Sequence, residues 1–402
     1  MTALAGRRVV ELADEKGVYC GKLLADMGAD VIKIEHPGGD STRDAPPFVG
    51  DRPGSDRSLY FLYMNTSKRG VTLDISRPEG AELCRRLMRD ADIVIETFEP
   101  GYLHGLGLGY EQLGADNPAL VFTSITGFGQ SGPQAHYKSS DLVAGALGGA
   151  LHVTGESDDP PVRLAGSQSF MMASAYAATS SMIALYHAAA TGHGQHVDIS
   201  ALETSTSVAH VCGVGKWLED DIISRRFGTG LFASVPSGAY RCKDGLVYLM
   251  VNRPLHWKAL AAWVNELTGN VEVLDPMFEG PSSSRQPYRD LLDIYITDLT
   301  SQLTVNEAYH EGQRRHIAFT PVNTSAGVAA DEHLAARDYF VDVDHPTLGT
   351  LRYPGAPFRP RQTPWRISRS APAAGEHNEE VLCDELGLTR ERLGELAAQG
   401  VV

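Results

Sequence analysis

The chain is poor in cysteine and in positive charge, and it lacks any long apolar run. Its five cysteines, Cys20, Cys84, Cys212, Cys242 and Cys383, are scattered over 402 residues with no CxxC pair. A sparse, odd set of this kind predicts no disulfide framework and a reducing, cytoplasmic setting. The 14 histidines form neither HxxxH nor HExxH, so no metal site is expected. Lys and Arg number 35 against 50 Asp and Glu, a formal charge of -15. That balance argues against a nucleic-acid partner, which needs clustered cations, although it leaves room for a local basic patch holding one small polyanion. No apolar stretch is long enough to span a bilayer. The opening MTALAGRRVV runs straight toward a strand without the apolar core of a secretory leader, so no membrane role is expected. No GxGxxG is present, which removes the argument for a nicotinamide or flavin cofactor.

What is present is an ordinary globular composition, 43% apolar and 21% charged, in a chain long enough for more than one domain. Arg8–Leu12 reads as a short buried strand, followed by a helix over about 19–27 and a second strand ending at Glu35. This βαβ unit predicts a parallel sheet. Residues 36–56 are rich in Gly, Pro and Asp and read as a long functional loop. Further strands are expected before Leu73, at ADIVIE and at LVFTSITGFG, with an amphipathic helix over Pro78–Arg89. Alternation of this kind to about residue 130 is the pattern of a doubly wound α/β domain.

From Ser169 to Ala190 there is neither Pro nor Gly, and small and apolar residues dominate, which predicts a long buried helix. Gly192 and Gly194 end it, and Gln195–Ser200 alternates as a half-buried strand. Residues 201–223 read as another helix. SGAYRCKDGLVYLMV reads as a hairpin turning at Lys243-Asp244-Gly245. The expected division is a large Rossmann-like domain beginning with residues 1–224, a small α+β domain over 225–320, and a segment 321–402, including TPVNT, that returns to the large domain.

With LLADMGADVIKIEHPGGDSTR, NTSKRGVTLDISRPEG, ADIVIETFEPG, LGLGYEQL, SITGFGQSGP, SSDLVAGALGGALHVTGESDDPPVR, TGHGQHVDIS, YRCKDGLVYL, PVNT and GEHNEEVL in this order, the chain resembles the family III CoA-transferases. That group includes the formyl-CoA and carnitine CoA-transferases and α-methylacyl-CoA racemase. The resemblance implies an α/β fold with a Rossmann-like large domain and a small α+β domain, in an open-ring chain that forms an interlocked dimer. It also implies a coenzyme A thioester as substrate, with no covalently bound cofactor. In similar transferases one aspartate attacks the donor thioester to give a mixed anhydride. Released CoA thiolate converts this to an aspartyl thioester, which the acceptor carboxylate then opens.

Counted from PPVR and from the TGxGQ turn alike, the position of that aspartate falls on Phe170, which cannot be acylated. The racemase pair is missing too, since its positions fall on Ser140 and Phe170. Among positions that the resemblance places near the reaction centre or along CoA, Lys138 and Asp141 match. Leu73, Asp74, Ile75 and Ser76 match a segment lining the adenine. His36, Gly105 and the run Thr97-Phe98-Glu99 replace more basic residues, and Asp14-Glu15-Lys16 replaces a Gln- and Leu-rich turn. Arg43, Lys68 and Arg69, with Arg225 and Arg226, lie in loops where they could cradle phosphate.

Each of these positions also has a plainer reading. Phe170 is either a core aromatic or the lining of an acyl pocket vacated by the nucleophile. Asp141 is either an N-cap for LVAGAL or an acid/base group. Gln168 lies between Ser167 and Ser169, where a substituted centre would stand. A serine nucleophile there would need a base, and His136 and His152 are near only in sequence. Three functional readings follow. The chain is a non-nucleophilic subunit of a heteromeric transferase, or it performs lyase, hydratase or isomerase chemistry on a thioester without an acyl-aspartate, or it is an inactive scaffolding paralogue. The partners expected are a second copy or a related subunit, an acyl-CoA and a carboxylic acid.

Overall fold

The computed structural model describes residues 2–402 and divides them into two compact units. The first comprises the chain up to Ala150, Leu164–Gly215 and Asp338–Val402, and the second comprises Leu151–Arg163 and Lys216–Arg337.

The first unit is built on a six-stranded parallel sheet in the order β3-β2-β1-β4-β5-β6, formed by β1 (Arg8–Leu12), β2 (Asp30–Glu35), β3 (Arg69–Thr72), β4 (Ile93–Glu96), β5 (Val121–Thr126) and β6 (His196–Ser200). Parallel strands are covered on both faces by crossover helices, so their residues are apolar at consecutive positions. β4 and β5 are buried throughout. Alternate side chains serve opposite cores. Val9, Val31, Ile93 and Ile95 face α1 (Val18–Asp26) and the long helix described below, while Val10, Ile32, Ile34 and Val94 face the other side. That second face is closed by α3 (Pro78–Arg89) and by the C-terminal segment, which contributes Val381, Leu382 and Leu396. The unit also carries the short helices α2 (Leu59–Met64), α4 (Tyr102–Gly105) and α5 (Tyr110–Asp116). α6 (Asp141–Leu147) precedes α7 (Gln168–Thr191), the small-residue helix, whose Ala173, Ala177, Ala184 and Ala188 pack into the first core. Gly192 ends α7 in the left-handed conformation at φ 77°, which glycine adopts without a Cβ clash.

The second unit carries the hairpin β7 (Ser237–Arg241) and β8 (Leu246–Met250), joined on the far edge of β8 by antiparallel β9 (Ala318–Pro321). TPVNT therefore begins in this unit rather than in the returning tail, because β8 offers an open edge that Ala318–Pro321 pairs with. The helical stretch expected over 201–223 stops at Asp220, beyond which Asp221 takes a positive φ of 54°. The chain rejoins the first unit through the hairpin β10 (Phe340–His345) and β11 (Gly349–Pro354).

Buried charge organises the carboxyl ends of β1 and β2. Lys68 Nζ donates to both Glu11 carboxylate oxygens at 2.9 and 2.7 Å, to the Val18 carbonyl and to Asn65 Oδ1. Lys33 Nζ bridges the Ala13 carbonyl and Asp40 at 2.9 and 2.7 Å. A Cβ on Gly21 of α1 would stand 1.5 Å from a Glu11 carboxylate oxygen, so only glycine fits there. Burial lowers the Lys68 ammonium to about 8 against the opposing pull of Glu11.

Removing one partner of a buried pair leaves an uncompensated charge. Lys68→Met is expected to lower the unfolding free energy by about 3–5 kcal/mol in a urea titration. A loss below about 1 kcal/mol would show that Lys33, 3.5 Å from Glu11, takes over the carboxylate.

Candidate functional site

The order of the sheet reverses direction between β1 and β4, and a crevice at such a switch point is where open α/β sheets bind ligands. Here a cleft of about 370 Å³ opens at the carboxyl ends of β1 to β4. Its lining includes His36, Leu73, Asp74, Ile75, Ser76, Thr97 and Phe98, all singled out from the sequence, Asp14 from the turn that departs from the family pattern, and Glu35 and Asp40, which were not singled out.

Local chemistry fixes these walls. Thr97 Oγ1 accepts the Asp14 amide hydrogen at 3.0 Å, tying the turn after β1 to the end of β4. The Glu96 carboxylate accepts the Phe98 N–H at 2.7 Å, and the Phe98 ring lies 4.8 Å from that of Tyr102. Asp74 accepts both the amide and the hydroxyl of Ser76, at 3.1 and 2.6 Å, and these bonds, led by the hydroxyl, hold its carboxyl below the ordinary range. His36 Nδ1 accepts the Gly38 N–H at 3.0 Å.

Several expected phosphate ligands face elsewhere. Arg43 is turned inward. Its guanidinium grips Glu35 through two bonds of 2.7 Å, reaches Asp56 at 2.9 Å and lies 3.8 Å over the Phe61 ring. Burial of so large a cation is tolerated because carboxylates meet its donors, and at 2% exposure the side chain is not offered to the cleft. Lys68 is held by Glu11, and Arg69 bonds Asp30 at 2.8 and 2.6 Å and Glu380 at 2.9 Å. Lys138, 87% exposed, pairs with Glu99, so the acidic replacement near Pro100 is neutralised by the lysine retained beyond it. In the second unit Arg226 donates to the carbonyls of His152, Glu156 and Asp159, bracing the 151–163 loop, and Arg225 is exposed.

The three residues anticipated at a reaction centre meet at the start of α7. Phe170 is 1% exposed and belongs to the core between sheet and helix, so of its two readings the core aromatic is the one observed. α6 is capped by Ser140, whose hydroxyl accepts the Val143 N–H, and not by Asp141. Asp141 instead accepts the Phe170 N–H at 3.0 Å, capping α7 from a neighbouring element where Ser167 gives no side-chain cap. Gln168 is exposed and folds back on the Ala165 carbonyl at 2.9 Å. Ser169 is buried, His152 Nε2 faces the Ser224 carbonyl at 3.0 Å, and His136 is exposed, so no serine–histidine pair forms here.

Two acids had no chemical role assigned from the sequence. Glu15 is exposed, yet partial desolvation pushes its carboxyl up, followed by Asp14, with a further contribution from Asp141. The only sequence signal was the charged Asp14-Glu15-Lys16 run directly after a buried strand. Glu96 is pushed up to about 7 by burial, against the opposing bonds from Ser124 and the Phe98 amide.

The fold and its crevice define a doubly wound α/β protein with a parallel six-stranded sheet. The sequence profile of CoA-transferase family III matches residues 4–378, and the chain belongs to that family. It is 38% identical to subunit BbsE of succinyl-CoA:(R)-benzylsuccinate CoA-transferase from Thauera aromatica, over 98% of this chain and 97% of that one. It is 31% identical to formyl-CoA:oxalate CoA-transferase from Streptomyces avermitilis, over 100% and 99% respectively. A crystal structure of a CAIB/BAIF family protein from Brucella suis superposes with a TM-score of 0.84 at 31% identity, covering 95% of this chain and 99% of the other. No helix among the described residues is long and apolar enough to cross a membrane.

Asp141→Ala is expected to cost about 0.5–2 kcal/mol in urea unfolding, and Asp141→Asn, which keeps an acceptor oxygen, to recover most of it. Equal losses in both would remove the capping role.

Glu96 gives a pH signature. Its folded value of about 7 lies above the ordinary 4.5, so the native state holds a proton that the unfolded chain releases. The stability it contributes is fully present below about pH 4.5 and is lost as pH rises through 7. Glu96→Gln is expected to flatten the decline between these limits in thermal unfolding, and an unchanged slope would assign the decline elsewhere.

Proposed function

We propose that this chain is the non-nucleophilic subunit of a heteromeric CoA-transferase, in which a related subunit supplies the carboxylate that is acylated. The observation that carries this reading is Phe170. The residue at the position that the resemblance gives to the nucleophile is a phenylalanine buried in the core, with its amide bound by Asp141, so position 170 itself offers no carboxylate. The partner's carboxylate attacks the donor thioester, giving a mixed anhydride and CoA thiolate, and the thiolate opens the anhydride to an enzyme thioester with release of the donor acid. The acceptor carboxylate displaces CoA thiolate from that thioester, giving a second anhydride. The thiolate attacks the acceptor carbonyl of that anhydride, and acceptor-CoA leaves with the partner's carboxylate restored. This chain's role is to complete the assembly.

The outward face of α7 supports a partner. Tyr176, Ile183 and Tyr186 are exposed along it, Tyr186 to 80%, and a row of large apolar side chains of this kind is ordinarily covered. The similarity to a subunit of a succinyl-CoA-dependent transferase supports a heteromer over a second copy of the same chain.

One observation favours a second reading, redirected thioester chemistry. The Glu15 carboxyl is raised by desolvation, then by Asp14, with a further contribution from Asp141, and Tyr60 has its phenol pushed up by burial, then by Glu15 and Asp14. A raised carboxyl with a second acid close by could serve in general acid–base chemistry.

The test is CoA exchange from succinyl-CoA into labelled carboxylic acids. The chain alone is expected to be silent and to form no hydroxylamine-sensitive acyl adduct. The complex formed with a carboxylate-bearing family subunit purified from the same host is expected to be active. Turnover by the chain alone that Glu15→Gln abolishes would replace the subunit reading with the second one.

A further inference from the structure

A crevice that receives CoA must balance three phosphate groups. In doubly wound folds this is done by free Lys or Arg side chains and by the open amides of the helix that follows β1. The cleft at the strand ends lacks those side chains. Its lining contains Asp14, Glu35, Asp40 and Asp74 and, among the described residues, no lysine or arginine.

Each of those carboxylates has taken up the cation closest to hand. Asp14 pairs with Lys16, Glu35 with Arg43 at 2.7 Å, Asp40 with Lys33 at 2.7 Å, and Asp74 with Arg77 at 3.2 Å. Just beyond the lining, Glu99 does the same with Lys138. The turn into α1 is satisfied in part by Asp14. The Gly17 and Val18 amides both donate to the Asp14 carbonyl at 3.0 Å, and the Asp14 carboxylate accepts the Lys16 amide hydrogen at 3.0 Å. Asp14 thus spends its own oxygens on the turn that leads into that helix and places a carboxylate beside it. His36, the remaining basic group of the lining, spends Nδ1 on the Gly38 amide.

We infer that this cleft excludes CoA, and that in the assembled transferase the coenzyme is handled only in the partner's cleft, at one CoA per pair of chains. The inference rests on the subunit reading above and adds which of the two clefts is used. What the crevice of this chain retains is shape without charge, so a ligand it accepts carries no phosphate.

Isothermal titration of the full chain with CoA at low ionic strength tests this. The unaltered chain is expected to show no saturation up to about 1 mM, a range in which binding is worth only about 4 kcal/mol. Asp14→Asn with Asp74→Asn, which frees Lys16 and Arg77, is expected to raise affinity at least tenfold and to make it fall steeply with salt. His36→Arg adds a cation on an exposed loop and is expected to act in the same direction without touching the core. Micromolar CoA binding by the unaltered chain overturns the inference, as does the absence of any gain in both variants when they unfold at the temperature of the unaltered chain. CoA binding without turnover by the isolated chain defeats this inference alone, whereas turnover defeats the subunit reading.

Discussion

The constraint on which the first unit depends is the placement of charge inside it. Glu11 sits on the central strand with no exposure, and it is tolerated only because Lys68 brings an ammonium to both of its oxygens. Lys33 on the neighbouring strand extends the set to Asp40, and Glu35 extends it to Arg43. Desolvated ions are costly unless paired and fully hydrogen-bonded, so these residues fix one arrangement of the loop over 36–56 against the strand ends. That loop forms part of the cleft wall, through Asp40 and His36. The same pairing that makes the architecture unique also removes cations from ligand use.

The head of α7 is held by a cap from a neighbouring element and a buried ring. In a helix the first amides have no intrahelical partner, and Asp141 supplies one from α6. Phe170 fills the space beneath with a ring packed among sheet and helix side chains. A buried aromatic and a carboxylate bound to a backbone amide make a stable joint. This joint and a crevice whose lining holds no lysine or arginine are the two features that support the proposed subunit role.

Much of the fold was legible in the sequence, because parallel strands and their crossover helices leave strong local marks. The helix over Pro78–Arg89 has proline at its first position and an apolar face at helical spacing, and it forms with those limits. The hairpin turning at Lys243-Asp244-Gly245 was marked by its glycine and the alternation on either side. β9 was not assigned correctly, since nothing within Ala318–Pro321 says which open edge it will join. The lining of the cleft was legible in part. The runs Leu73–Ser76 and Thr97-Phe98 follow strand ends, where side chains of a switch-point crevice must lie.

The charged residues were the least legible. Arg43, Lys68 and Arg69 look alike in the sequence as basic groups in loops, but each meets carboxylates from distant parts of the chain, as in Arg69 with Glu380. Asp141 reads as a cap for the helix it begins, and it caps another. The sequence by itself determined the doubly wound sheet, the long small-residue helix and the loss of an acylatable group at position 170, because period, glycine placement and residue identity are local properties. Only the tertiary structure decided which cations remain free, since an ion pair depends on where two distant segments meet, and here the folded chain leaves none in the lining of the crevice.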